Sequence, residues 1–435
     1  MSITANSAKI TADLLPQKFS IGGRIWAIGL LVICINGLFS YYRQVTLGLG
    51  VTALRDYASW GIYISNFVFF VAISLVGSLI TAIFRLGGVR WRTPLTRIAE
   101  IIAVSAIMYA SLIIVVDMGR PERFTHLFLY SRLQSPIMWD VIVITTYFVI
   151  SVLFLYFPLL SDMPILIKNS KGFLQKLYKF LGSFWTGTAE QFRMSEKAVK
   201  IISIMIIPIA LAVHTVTSWL FATTYRPGWD STNFGAYFVS GAFLVGAGGV
   251  LVAMYVFRVA YKLEAYLTEK HFDRMSKVVV FLALVYLYFN INEYLIPAYK
   301  MKTSEEHHLK SLFTGEFSIM FWSAIFLSMI VPLIVLLFPK GRRPFPAFLM
   351  GVLVVVGSWF KRLLIVTPTM LSPFLPMHDV PESYKHYHPT WDEWSVAIGS
   401  LAGMLLIVTI FARLFPIIPI HETIEEMEHS KKEIA

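Results

Sequence analysis

The stretch DMGRPERFTHLFLYSRLQSPIMWD, Asp117–Asp140, lies between two long apolar runs, Leu95–Val116 and Ile137–Leu160. Each run is long enough to cross a bilayer as a helix, because about 20 apolar residues span the hydrocarbon core. The stretch is therefore predicted to be a short loop at a membrane surface. Its two ends are acidic, and carboxylates at the edge of hydrocarbon usually mark an ion, proton or ligand path. We interpret the loop as part of a binding site at that surface.

The composition extends this interpretation to the whole chain. The 435 residues are 57% apolar and 14% charged, with a mean hydropathy of +0.67. Soluble domains carry about 25% charged residues, so the composition indicates an integral membrane protein. The net charge of +11 is typical of basic cytoplasmic loops and does not indicate nucleic-acid binding. The one cysteine, Cys34, excludes an internal disulfide and an iron–sulfur cluster held by this chain alone, since such clusters typically take four thiolates.

Apolar runs predict an all-α membrane fold of about ten transmembrane helices in a single polytopic domain, residues 1–435. The predicted spans are Ile25–Tyr41, Tyr57–Phe84, Leu95–Val116, Ile137–Leu160, Ile201–Ala222, Ala236–Phe257, Val278–Ala298, Phe317–Phe338, Pro346–Val366 and Ser395–Phe415. The N-terminus has no cleavable signal pattern, because the segment before the first span is polar and that span is long enough to remain in the membrane.

Basic residues set the predicted orientation. The even-numbered loops are rich in lysine and arginine, as in the second loop with Arg85, Arg90 and Arg92, whereas the odd-numbered loops are close to neutral or acidic. Basic loops stay on the cytoplasmic side, so both termini are predicted to be cytoplasmic and the Asp117–Asp140 loop to face outward. The expected location is the cytoplasmic (inner) membrane of a prokaryote.

A weak internal repeat suggests how the spans are grouped. Trp60-Gly61-Ile62-Tyr63 opens the second predicted span as Phe234-Gly235-Ala236-Tyr237 opens the sixth. This favours two four-helix bundles, residues 57–222 and 236–366, flanked by spans one and ten and followed by a charged cytoplasmic tail, residues 421–435. Repeats often hold a site between two halves of a membrane protein. Chance similarity between apolar segments is the alternative.

Ionisable residues within the spans collect toward the predicted outer side: Asp117, Asp140, His214, Glu293 and Arg362. Histidine exchanges protons most readily near neutral pH, so His214 is a candidate proton acceptor, or else a buried histidine bonded to a carbonyl. Asp140 also suits the N-terminus of a helix, and Asp117 has the alternative of pairing with Arg120 or Arg123. Glu100 lies in the cytoplasmic half, and together with Glu293 and Arg362 it is a candidate for a proton path.

Aromatic residues flank the outer acids. Trp60, Tyr63 and Trp139 are near Asp117 and Asp140 in the predicted arrangement. They either line a flat apolar slot or belong to the aromatic belt found at membrane interfaces.

Four stretches together resemble one family. They are SWGIYI (Ser59–Ile64); VDMGRP (Val116–Pro121) with SPIMWD (Ser135–Asp140); HTVTSW (His214–Trp219) with RPGW (Arg226–Trp229) and YFVSG (Tyr237–Gly241); and WFKR (Trp359–Arg362) with FLP (Phe374–Pro376) and YHPTW (Tyr387–Trp391). In order and spacing they resemble the NrfD/PsrC (polysulfide reductase membrane subunit) family. The similarity is greatest to the ten-helix branch with ActC of alternative complex III, the Qrc subunit and the DsrP and Hme subunits.

The resemblance implies a membrane subunit of a respiratory complex, with no haem or iron–sulfur cluster of its own. It implies that menaquinone or another quinone binds as substrate near the outer, periplasmic face and exchanges electrons with a docked iron–sulfur subunit. Further redox subunits, of cytochrome or molybdopterin type, complete such complexes. Carried over by position, Asp140, His214 and Asp117 are the expected catalytic residues. Trp60, Tyr63, Arg120, Trp139, Asp140 and His214 are the expected quinone-binding residues.

Two departures limit the assignment within the family. ActC-like chains typically carry histidine where this chain has Asp117, and glutamate where it has Lys361. The first departure favours a sulfur-metabolism or Qrc-type complex, and the second argues against transferring the ActC proton path as a whole. A secondary transporter or proton-conducting protein is the competing hypothesis, because ten spans with a repeat and buried ionisable residues also suit that class. A structural anchor without a site is disfavoured by the cost of buried charges.

Overall fold

The computed structural model describes residues 3–56, 58–224, 226–300, 302–372 and 378–434. Within these residues there is no strand, and ten helices are long and apolar enough to cross a membrane. In chain order they are α1 (Ile21–Leu47), α2 (Ile62–Leu86), α3 (Thr93–Asp117), α4 (Pro136–Leu160), α5 (Ala189–Ala222), α6 (Phe234–Ala260), α7 (Glu269–Lys300), α8 (Ser318–Leu337), α9 (Pro344–Met370) and α10 (Trp391–Leu414). The all-α fold with ten candidate spans is therefore confirmed.

The helix boundaries differ from the predicted spans where a helix continues beyond its apolar stretch. Helices α5 and α7 begin well before the predicted Ile201 and Val278, because their first turns are polar yet helical. Thr188 caps the start of α5 by accepting a hydrogen bond from the Gln191 amide. Helix α2 begins at Ile62, after the predicted Tyr57, which lies outside the described residues together with Phe374–Pro376 of the FLP motif.

Helices α2 and α6 lie at the centre of the fold. Helix α2 packs against α3, α5, α6 and α9, and α6 packs against α2, α5, α7 and α9. Helices α1 and α10 pair with each other and contact the rest mainly through α3 and α2. The segment that follows α5 and the segment that precedes α2 are thus brought together around the two central helices. The division into two four-helix bundles stays a prediction.

Two sides of the protein are distinguished by the ends of these helices. We call the side with Asp117 and Asp140 the predicted outer side, and the side with Arg97 the predicted inner side. At the inner side Arg97 and Asp162 form an ion pair, with 2.6 Å between Nη1 and Oδ2, and both side chains are 0% exposed. The carboxylate of Asp162 also accepts hydrogen bonds from the Ile420 and His421 amides. The pair therefore holds the start of the C-terminal helix, Ile420–Ile434.

The first turn of this C-terminal helix, in the charged tail of the sequence, is packed against the spans. Glu422 lies 2.9 Å from an Nη atom of Arg85 and 3.4 Å from one of Arg92. The ring of His421 stacks on Phe192 with 4.7 Å between centroids. The charged side chain of Glu422 therefore attaches the tail to the spans. The loop after α4 contains a short helix, Gly172–Leu181, with Phe173 and Phe180 exposed.

Close contact between α1 and α10 depends on glycine. A Cβ atom at Gly37 would lie 2.8 Å from the Ser395 carbonyl oxygen and 3.0 Å from the Gly399 Cα, whereas one at Gly29 would have no neighbour within 4 Å. We expect Gly37→Ala to destabilise the protein by about 1–3 kcal/mol, because the two helices must separate. Gly29→Ala, on the same helix, is expected to leave stability unchanged or raised, since alanine favours helices. Thermal unfolding in detergent compares the two, and equal midpoints would contradict the packing argument.

The attachment of the C-terminal helix should depend on pH through Glu422. Burial acts to raise the pKa of Glu422, but the guanidinium groups of Arg85 and Arg92 outweigh it and hold the pKa below its ordinary value. A carboxyl whose pKa is lowered on folding adds stability above its unfolded pKa, about 4.3, and this stability is lost as the pH falls through the folded value. We expect protease access to Ile420–Ile434 to rise under acid conditions. Glu422→Gln should raise access already at neutral pH, whereas Glu425→Gln should leave it unchanged.

Candidate functional site

Two of the predicted catalytic residues lie on the adjacent helices α4 and α5. Asp140, near the start of α4, is 4% exposed, and His214, on α5, is 1% exposed. The Thr217 hydroxyl donates a hydrogen bond to Oδ1 of Asp140 at 2.6 Å. Thr217 lies three residues beyond His214, so both side chains are on one face of α5. Because Asp140 bonds Thr217, it lies about one helical turn from His214 along the axis of α5.

His214 retains unused hydrogen-bonding capacity. Neither of its ring nitrogens has a partner of ordinary hydrogen-bond geometry in the described part of the chain. Its ring packs against Phe238 of α6, with 6.2 Å between centroids. A buried polar group without a partner costs stability, so a histidine with a purely structural role would be expected to be bonded. The position favours a ligand-binding or proton-accepting role.

Aromatic rings form a wall beside this pair. Phe221 contacts both Phe238 and Trp60, and Trp60 lies 5.8 Å from Trp229 between ring centroids. The indole of Trp229 donates to the Ile365 carbonyl oxygen at 2.7 Å, which fixes its orientation. The chain segment before α2, helix α5 and the turn after α5 thus bring their aromatic residues together. The wall is apolar, and its rings are set at angles of 32–83° to one another.

Arg362 and Lys361 extend the buried polar groups into the second half of the chain. Arg362 lies over the same Phe238 ring, at 5.1 Å from Cζ to the centroid, and its Nε and Nη1 have no partner within the described residues. The Lys361 ammonium group contacts the Tyr294 hydroxyl at 2.8 Å. Phe238 therefore lies between this guanidinium and the unbonded imidazole of His214.

Glu293 is bonded to neutral groups. Its carboxylate accepts hydrogen bonds from the Ser231 hydroxyl at 2.8 Å and from the Asn233 amide at 3.0 Å. The Glu293–Arg362 ion pair that the sequence allowed is not formed among the described residues. These neutral donors belong to the turn before α6, which lies over the end of α7.

Asp117 and Tyr63 lie in a separate cluster formed by α1, α2 and α3. The Tyr63 hydroxyl donates to Oε1 of Gln44, and the Gln44 amide donates to the Val116 carbonyl oxygen, both at 2.8 Å. Oδ1 of Asp117 is buried without a hydrogen-bond partner, and the described residues include no ion pair between Asp117 and Arg120 or Arg123. Pairing with arginine therefore does not account for Asp117.

The other predicted residues are placed apart from these clusters. The indole of Trp139 donates to the Leu133 carbonyl oxygen within the predicted outer loop. Arg120 is exposed, so any contact with a substrate would come through movement of its loop. Glu100 is buried at the predicted inner side, one turn beyond Arg97, and neither of its carboxylate oxygens has a partner in the described chain. The structure thus brings together Asp140, His214 and Arg362, but not the full predicted set.

Several residues that shape the site were not predicted. Thr217 orients Asp140, and Lys361 adds a second buried cation beside Arg362. Glu393 accepts hydrogen bonds from the Tyr387 hydroxyl at 2.6 Å and from the Ala53 amide at 2.8 Å, which ties the segment before α2 to α10. The adjacent Lys-Arg pair inside an apolar span was a signal for Lys361. No signal in the sequence distinguished Thr217 or Glu393.

The family follows from comparison with known proteins. The sequence profile described as Polysulphide reductase, NrfD matches residues 50–373, which is most of the chain. The chain belongs to the NrfD family. The resemblance inferred from the four motifs is therefore confirmed. The NrfD match begins before Trp60 and extends past Arg362, so it includes Asp140 and His214 but not Gln44 or Glu393.

Relatives of this NrfD protein are membrane subunits of reductase complexes. It is 25% identical to a selenate reductase subunit of Mesobacillus selenatarsenatis, over 89% of this chain and 93% of that one. It is 24% identical to the menaquinone reductase integral membrane subunit of Nitratidesulfovibrio vulgaris, over 94% and 96%. It is 22% identical to the Hdr-like menaquinol oxidoreductase integral membrane subunit of Archaeoglobus fulgidus, over 92% and 96%.

The hydrogen bond between Thr217 and Asp140 should be measurable in the stability of this NrfD protein. Thr217→Val keeps the shape of the side chain but leaves a buried carboxyl oxygen without its donor. We expect a loss of about 1–3 kcal/mol, read as a lower unfolding midpoint in detergent. Thr217→Ser should retain most of the stability. The control Thr215→Val removes only a bond to the Leu211 carbonyl of the same helix, and an equal loss there would contradict a specific role for Thr217.

Proposed function

We propose that this NrfD protein is the quinone- or quinol-interacting membrane subunit of a multi-subunit respiratory oxidoreductase. In this proposal it exchanges electrons between menaquinol, or another quinone, and an iron–sulfur subunit docked on the predicted outer face. The observation that supports the proposal best is the buried Asp140–Thr217 contact beside the unbonded imidazole of His214. Phe238, which packs against the His214 ring, also contacts Phe221. Quinone chemistry needs this combination of a proton acceptor and an apolar wall.

The chemistry assigns a role to each residue. Oxidation of a quinol releases two electrons and two protons, and the protons must leave the ring hydroxyls as the electrons depart. A carboxylate or imidazole within hydrogen-bond reach of the ring oxygen can accept such a proton. Asp140 and His214 are assigned this role at the ring oxygens, and Thr217 holds the Asp140 carboxylate in position. The electrons leave through a redox group of the docked subunit.

We assign Trp60, Tyr63 and Asp117, at the predicted outer side, to the entrance of the quinone site and to orientation of the substrate. Trp60 would contact the ring, and Tyr63 with Asp117 would line the side nearer α1. Arg120 and Trp139 belong to the loop that covers the site. Two relatives support the choice of substrate, because their descriptions name menaquinone and menaquinol. Their role as integral membrane subunits also supports the assignment of redox partner subunits.

Proton movement forms the second part of the proposal. Arg362 and Glu293 continue from His214 toward α7, and Glu100 lies on the opposite, predicted inner side. A cavity of about 470 Å³ opens at that inner side and is lined by Arg85, Arg92 and Glu422 among others. The charges of Arg85 and Arg92 act on Glu100 as well. We assign Glu100 to the entry of protons from this cavity, and Glu293 with Arg362 to their passage near the outer side.

Quinone binding by the purified complex tests the site directly. We expect Asp140→Asn and His214→Ala each to weaken binding of a fluorescent quinol analogue by about tenfold or more, equivalent to about 1.4 kcal/mol, because each removes a group that contacts a ring oxygen. The measurement is quenching of the analogue's fluorescence, with the cofactors and subunits that copurify determined in parallel.

Matched controls come from exposed residues of the same types. Asp379→Asn and His307→Ala change an exposed aspartate and an exposed histidine, and both are expected to bind the analogue normally. Unchanged binding in Asp140→Asn and His214→Ala, with an intact complex, would contradict the assigned site. Absence of binding in the unaltered protein, purified without redox partners, would favour the transporter hypothesis instead.

A further inference from the structure

A second buried polar site lies at the predicted outer side, between α7, α9 and the short helix Thr303–Phe313. It is a cavity of about 30 Å³ whose lining includes Glu293, Glu305 and His308. These three side chains belong to residues that are 5%, 7% and 6% exposed. Three titratable groups that are so deeply buried around one space need a physical explanation.

Two residues that line this cavity each have a polar atom without a hydrogen-bond partner. Oε2 of Glu305 and Nδ1 of His308 are both inaccessible to solvent and form no hydrogen bond with any described residue. Burial lowers the pKa of His308 to about 4, so its imidazole is neutral at neutral pH and can both accept and donate a hydrogen bond. An orphaned acceptor and an orphaned imidazole nitrogen facing one small space indicate that a third molecule bridges them.

The volume of the cavity indicates which molecule can bridge these atoms. A space of about 10–15 Å³ is enough to hold a water molecule, provided two to four polar partners surround it. The cavity is larger than that and offers the carboxylates of Glu293 and Glu305 and the imidazole of His308. The turn after α5 packs closely against His308, since a Cβ atom at Gly228 would lie 2.7 Å from Nε2 of His308. This close packing keeps the space small.

The cavity connects the buried charges to solvent. On its inner side Tyr294 lines the cavity and its hydroxyl is 2.8 Å from the Lys361 ammonium group. On its outer side the second oxygen of Glu305, Oε1, lies 3.8 Å from Nζ of Lys302, whose side chain is 59% exposed. A proton on Glu293 is thus separated from the surface by one small polar space and one carboxylate.

We propose that this cavity is a water-binding proton-transfer site, through which Glu305 and His308 pass protons from Glu293 to the predicted outer surface. The Glu293 carboxyl group gives its proton to the bound water, and the water gives one of its own protons to the Glu305 carboxylate. Glu305 then releases that proton to solvent beside Lys302. His308 orients the water through Nδ1. No electron moves in these steps, and the proposal rests on the proposed quinone function, which supplies the protons.

The test uses the complete complex in lipid vesicles, with a short-chain menaquinol analogue as electron donor. Glu305→Gln and His308→Gln are expected to slow electron transfer and proton release by about a hundredfold, the lower end of what a positioned proton-transfer group contributes. Binding of the analogue should stay normal, because neither residue touches the quinone site. Glu305→Asp, which keeps a carboxylate, should recover most of the rate and separates proton transfer from a loss of folding.

Adjacent residues provide the controls. Glu306 pairs with Lys310 at the surface, and His307 is exposed, so Glu306→Gln and His307→Gln should behave as the unaltered complex. Normal rates in Glu305→Gln and His308→Gln, in a complex slowed by Asp140→Asn, would overturn this inference and leave the quinone function standing. A complex that neither binds nor oxidises the analogue would instead overturn the quinone function, and this inference with it.

Discussion

The cost of burying ionisable side chains among apolar helices is the constraint on which this structure depends. One ion pair offsets most of that cost internally. Arg97 and Asp162 form a fully buried pair, and the remaining capacity of Asp162 is taken by two backbone amides of the C-terminal helix. A buried pair that is bonded in this way fixes how elements are joined. It connects α3, the turn after α4 and the C-terminal helix, and leaves neither oxygen of Asp162 free to bind a substrate.

Other buried groups are left incompletely bonded, and their positions are the main guide to function. His214, Arg362, Glu100, Asp117, Glu305 and His308 each keep at least one buried polar atom without a partner among the described residues. Each such atom carries a desolvation penalty that folding alone does not recover. They lie on α3, α5, α9 and the short helix Thr303–Phe313, with Glu100 at the predicted inner side and the others toward the predicted outer side.

The two central helices, α2 and α6, bring His214 and Arg362 into one region. Trp60, just before α2, reaches Phe221 of α5, and Phe221 reaches Phe238 of α6. Phe238 in turn lies between His214 and Arg362. A single line of aromatic rings therefore connects residues that are far apart in sequence. Close helix packing makes this possible, as at Gly37 and Gly399 on the periphery, where backbones approach without intervening side chains.

Hydropathy by itself determined the ten spans, because the length and apolar character of a membrane helix are local properties of the chain. The family motifs likewise determined which acids and which histidine to consider, and Asp140 and His214 stand on the adjacent helices α4 and α5. The hydrogen-bond partners of these side chains could not be predicted in this way. Asp140 bonds Thr217, 77 residues away, and Glu293 bonds Ser231 in place of Arg362. Only tertiary structure decided these contacts, since they depend on which helix faces meet, and apolar periodicity does not distinguish one neighbouring helix from another.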